Sequence, residues 1–95
     1  MNKYELTVIF KATLEEEARK AEFDKIVGFI TKFGGTIDKV DEWGKRKLAY
    51  EIQKLNEGFY SFIFYTAPVE TPAEVESRIN IMESVLRYLN IRLEA

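Results

Sequence analysis

The chain has 95 residues, 46% of them hydrophobic, which suits one domain spanning 1–95 with a single modest core. Its net charge is −2 and it has neither cysteine nor histidine, which excludes a disulfide framework, a thiolate zinc site, a cysteine nucleophile and the commonest general base. No apolar run approaches the roughly 20 residues of a membrane helix, and Asn2-Lys3-Tyr4-Glu5 opens without a charged-then-apolar leader, so the expectation is a soluble cytoplasmic protein.

Tyr4, Leu6, Val8 and Phe10 alternate with Glu5, Thr7 and Ile9, the signature of a half-buried strand. Thr13 is placed to start a helix, with Glu16 completing a capping box. Phe23, Ile26, Val27, Ile30 and Phe33 then recur at helical spacing, and Gly34-Gly35 supplies the stop. A second strand runs from Thr36 past Trp43, bends or bulges at Gly44 and continues to Ile52. Lys54-Leu55-Asn56-Glu57-Gly58 reads as a turn, and Phe59 to Thr66 as an aromatic strand, so the two strands form a long antiparallel hairpin. Thr71-Pro72-Ala73-Glu74 offers an N-cap, a proline at the first helical position and a capping-box glutamate. Val75, Ile79 and Met82 give that helix its apolar stripe, and Val85 to Leu93 alternates as a last strand.

The order β-α-β-β-α-β, with right-handed crossovers, predicts an α+β ferredoxin-like sandwich: a four-stranded antiparallel sheet with both helices on one face. The other face is left uncovered. Of the aromatic strand, Tyr60, Phe62 and Phe64 form an unbroken bulky set and are expected in the core. Phe59, Ile63 and Tyr65 are then expected on the open face, as part of an interface with a partner protein. Tyr60-Ser61-Phe62-Ile63-Phe64-Tyr65 also approximates the end of the third-strand signature of the RNA-recognition motif, but Gly58 and Phe59 replace the basic residue and glycine that should precede it. The strand is therefore read as core plus protein interface.

Enzymatic readings find little support. Lys11-Ala12-Thr13 provides neither the arginine nor the glycine cradle that an acylphosphatase needs in the loop after its first strand. Glu15-Glu16-Glu17 lies in the first turn of a helix, where the dipole favours negative charge without any metal. Asp38, Asp41 and Glu42 are read as strand-edge solubility residues, and no glycine-rich phosphate loop or zinc spacing occurs. No cofactor and no small-molecule substrate are expected. Lys45-Arg46-Lys47 is a local cationic cluster on a slightly acidic chain, which suggests a positioned contact with an anionic surface.

Around that cluster the run Gly44 to Ile52, G-x-R-x-L-A-Y-x-I, resembles the signature of the bacterial small-subunit ribosomal proteins of the S-six type. The resemblance extends to Lys3-Tyr4-Glu5, to Gly34-Gly35, to Gly58-Phe59-Tyr60 and to Val85-Leu86-Arg87-Tyr88-Leu89, and so covers nearly the whole chain. It implies a structural component of the small ribosomal subunit that binds the central domain of the small-subunit RNA as a heterodimer with ribosomal protein S-eighteen. The cations then become candidates for RNA or partner contacts: Arg46 and Lys47 in the signature, Lys3 and Arg87 at matching strand positions, with Lys45, Lys54 and Arg92 beside them. Leu48 and Tyr50 are assigned to packing or the partner interface, and Asn90 is a polar residue where the family's strand is mostly apolar. The alternative, read from the fold alone, is a regulatory or ligand-binding module that associates through its open sheet face.

Overall fold

A computed structural model describes residues 1–52 and 55–93, with side chains for 1–48 and 57–93. The element order is β1 (Asn2–Lys11), α1 (Glu16–Lys32), β2 (Thr36–Ile52), β3 (Leu55–Ala67), α2 (Thr71–Ile79) and β4 (Val85–Arg92). The four strands form one sheet in the order β2-β3-β1-β4 with every neighbouring pair antiparallel, which is the ferredoxin-like arrangement expected.

β1 sets the sidedness of the sheet. Its alternation puts Tyr4, Leu6, Val8 and Phe10 on the helix side, where they are buried with Ile26 and Ile30 of α1 and Val75 and Ile79 of α2. The register Tyr4↔Tyr65, Leu6↔Ile63 and Phe10↔Phe59 then carries the partners of these residues to the same side. The expected faces of β3 are therefore reversed. Ile63 and Tyr65 are fully buried beneath the helices, and Phe59 packs against the same core. Tyr60, Phe62 and Phe64 lie, half-buried, on the open face. The small residues Ser61 and Ala67 on the core side of β3 are both buried. The helices supply the bulk there, so an unbroken row of large side chains is not needed.

Both helix starts differ from expectation. The amide of Leu14 donates to the Lys11 carbonyl at 3.2 Å, and this turn carries Leu14 inward against the core before α1 begins at Glu16. Thr13 and Glu16 make no capping box; Glu15 is the N-cap, with Glu16 and Glu17 placed to favour the positive end of the helix. In α2, Thr71 also makes no cap bond: its hydroxyl donates to the Phe33 carbonyl at 2.6 Å and ties the end of α1 to the start of α2. Gly34, at φ +92°, ends α1 as expected, and the Gly35 amide donates to the Ile30 carbonyl at 2.8 Å. Met82 lies beyond the end of α2 but still packs against the core.

The hairpin is tighter and longer than the sequence suggested. Leu55 to Gly58 belong to β3 and not to a turn, since Leu55 already pairs with Ile52, Glu57 with Lys47 and Gly58 with Arg46. β1 stops at Lys11 opposite Gly58, so beyond that point β2 and β3 pair only with each other and form an arm overhanging the sheet. The molecule is accordingly elongated, 38 × 25 × 21 Å.

Candidate nucleic-acid interface

The end of the sheet from which the arm projects owes its chemistry to a bulge. Glu42 pairs with Ser61 and Gly44 with Tyr60, so Trp43 is an extra residue that shifts the alternation of β2 by one. Gly44 accommodates this at φ +77°, a region where a side chain is strained. Strict alternation would put positions 43 and 46 on opposite faces; the bulge brings both to the open one. There the Trp43 ring lies 4.6 Å from that of Phe62, tilted by 55°, and the Arg46 guanidinium stands 5.9 Å from the Trp43 ring. Trp43 remains 55% exposed.

The cationic triplet is consequently splayed. Arg46, opposite Gly58, faces the open side together with Leu48, whose Cδ2 would lie 3.7 Å from a Cβ built on Gly58. Lys45, opposite Phe59, faces the helix side, its Nζ 5.8 Å from the Phe59 ring. Phe59 itself is capped by the Arg19 guanidinium at 3.8 Å, which further removes it from any partner on the open face. Lys47 alternates to the helix side, and all three members of the triplet are exposed. Lys54 lies outside the described residues, and the side chain of Tyr50 outside the described side chains.

Cross-strand register decides which other cations join the arm. Gly44, Tyr60, Ile9 and Arg87 form one row across the open face; Arg46, Gly58 and Lys11 form the next. Arg87 thus stands at the arm end of the sheet, and so does Lys11, to which nothing local in the sequence points. Lys3 shares the open face but lies at the far end, opposite Thr66. Lys39 is also on the open face, 3.5 Å from Asp41 and 5.8 Å from the Phe64 ring. Arg92, opposite Tyr4, falls on the helix side and donates from Nη2 to the Asn2 side-chain oxygen at 3.1 Å, bracing the end of the sheet. Leu89 and Ile91 of β4 complete the open face, 49% and 42% exposed.

Asn90 acquires a structural role. It lies opposite Leu6 on the core side and its Oδ1 accepts from the Tyr65 hydroxyl at 3.0 Å, which gives a buried phenol its partner. Burial pushes the Tyr65 hydroxyl up to about 12. Among the described residues no three His, Cys, Asp or Glu side chains converge on a metal position, and no helix is long and apolar enough to cross a membrane.

The whole chain, and not only the arm, has known counterparts. The family model for ribosomal protein S6 matches residues 3–92. The small ribosomal subunit protein bS6 of Alkaliphilus oremlandii is 48% identical over 94 residues, 99% of each chain, and that of Clostridium botulinum is 46% identical over 94 residues, 99% of this chain and 100% of the relative. The crystal structure of 30S ribosomal protein S6 from Thermotoga maritima superposes with a TM-score of 0.90 at 32% identity, covering 97% of this chain and 87% of that one. On sequence and fold alike, the chain belongs to the ribosomal protein S6 family of the small ribosomal subunit.

Proposed function

We propose that this chain is a non-catalytic structural component of the small subunit that binds the central domain of small-subunit ribosomal RNA as a heterodimer with a protein of the S-eighteen type. The observation that carries the reading is the exposed triplet Lys45, Arg46 and Lys47, splayed to both faces where the sheet ends and the overhanging arm begins. Cations on both faces at this end of the sheet can meet phosphates on either side of it, and Arg46 can bind a phosphate bidentately. Lys11 and Arg87 extend the contact onto the sheet, with Lys3 and Lys54 as further contacts. Leu89 and Ile91 offer the protein partner an apolar patch on the open face, a role that Ile63 and Tyr65 cannot fill from the core.

The test is the double reversal Arg46→Glu with Lys47→Glu, assayed for capture of a central-domain RNA fragment in the presence of the partner. Exposed strand charges contribute little to stability, so the melting temperature should hold while RNA capture is lost. Undiminished capture, or a variant that unfolds, would sink the assignment of this arm to RNA.

A further inference from the structure

The open face holds more than phosphate-binding cations. Trp43 exposes more than half its surface, yet it lies within a strand: a bulge that uses Gly44 at positive φ aims it at Phe62 and brings Arg46 beside it. On β3 the open-face residues Tyr60, Phe62 and Phe64 continue the aromatic surface. Arg46 borders this surface on one side, and Lys39 stands 5.8 Å from the ring of Phe64 on the other.

We propose that Trp43 and Phe62, with Arg46 beside them, form a stacking platform for unpaired nucleotides of single-stranded RNA. This rests on the RNA-binding reading above and adds that part of the bound RNA is unpaired. The chemistry follows from the side chains. An exposed indole stacks on any base, because every base has a π-face, and a base buried in a duplex cannot reach it. A guanidinium within 6 Å of the ring adds cation–π attraction and can hold the phosphate that follows the base. Charge favours this occupant at the Trp43 end: Arg46 stands beside the indole and Lys11 shares the row of Arg46, while Lys39 is already paired with Asp41, the carboxylate opposite Phe62, at 3.5 Å.

Trp43 is the sole tryptophan of the chain, so its fluorescence reports this surface alone. The intact protein is titrated with a short single-stranded oligouridylate and with a fully paired, blunt-ended RNA duplex of equal length. Saturable quenching by the single strand and little by the duplex is the expected result. By anisotropy of the labelled strand, Trp43→Ala should bind ~10-fold more weakly with an unchanged salt slope, and Trp43→Phe should lose less. Arg46→Gln should reduce that slope by about 1. Absent quenching, equal quenching by the duplex, or unaltered binding by Trp43→Ala overturns the proposal. If Trp43→Ala fails to fold, the wild-type quenching and Trp43→Phe still decide. If the protein partner alone quenches Trp43 and excludes the oligonucleotide, the surface is a protein interface and the proposal falls. The two readings separate cleanly: loss of structured-RNA capture in Arg46→Glu with Lys47→Glu, beside unaltered strand binding in Trp43→Ala, retains the phosphate contacts and discards the platform. Structured-RNA capture that survives the double reversal discards the underlying reading instead.

Discussion

Tyr65 and Asn90 show how one hydrogen bond makes a polar core position tolerable. The Tyr65 ring lies against that of Tyr4, centroids 5.3 Å apart, with its hydroxyl on Asn90. Asn90→Leu would leave that hydroxyl unpaired and should cost ~1–3 kcal/mol in thermal melts, whereas adding Tyr65→Phe removes both partners and should recover most of the loss. Ionisation of the same group sets an alkaline limit. Its pKa rises from 10.0 in the unfolded chain to about 12 in the fold, so the folded state holds the proton more tightly. The contribution to stability is complete below pH 10.0 and lost as pH climbs through about 12. Urea midpoints should therefore fall across that alkaline window, and Tyr65→Phe should flatten the fall.

Among the elements, β2 depends most on a single backbone torsion. Gly44→Ala forces a side chain into φ +77° and should cost ~1–2 kcal/mol. Because the bulge also aims Trp43 at Phe62, the substitution should shift the tryptophan emission to the red, read alongside the melt. The element order could be seen in the sequence because each signal is local: the alternation of Tyr4 to Phe10, the stripe Val75 and Ile79, the stop at Gly34. Arg46 could be picked out for the same reason, as part of a contiguous run. The faces of β3 could not, since both sides of that strand are apolar and the choice is made by its pairing with β1. Pairing also hides Lys11 and the company of Trp43 and Arg46; Gly44 announces a bend but not its effect on the phase of β2. The helix caps failed for a different reason. Thr71 had the right identity for a cap, but its hydroxyl found the Phe33 carbonyl, a tertiary acceptor no local motif announces.

At the scale of the molecule, charge is mixed on both faces but differs in balance. The helices begin with Glu15, Glu16 and Glu17 and carry Glu74 and Glu76 beside their own cations, while on the open side of the sheet Lys3, Lys11, Lys39, Arg46 and Arg87 outnumber Glu5 and Asp41. A chain of net charge −2 can thus approach a polyanion sheet-first. With ~3–4 phosphates neutralised, log affinity of the isolated chain should fall with log salt at a slope of about −3, steepening when the partner is added. Filter binding across a salt series checks this, and salt-insensitive tight binding by the chain alone would contradict it.

The place of β1 in the sheet bears on how the protein comes into being. β1 is the first strand to leave the ribosome that makes it, yet its neighbours are β3 and β4, residues 55–67 and 85–92. During synthesis Tyr4, Leu6, Val8 and Phe10 must wait, apolar, for a first strand partner until β3 has followed and for the second until β4 has. The β2-β3 hairpin, whose pairing is local, can form meanwhile and offer β3 as a template, but β1 gains its second neighbour only with β4. Such non-local closure is slow. Until β4 joins, the apolar residues of β1 lack one of their two strand neighbours, and that interval is the most aggregation-prone of the protein's folding.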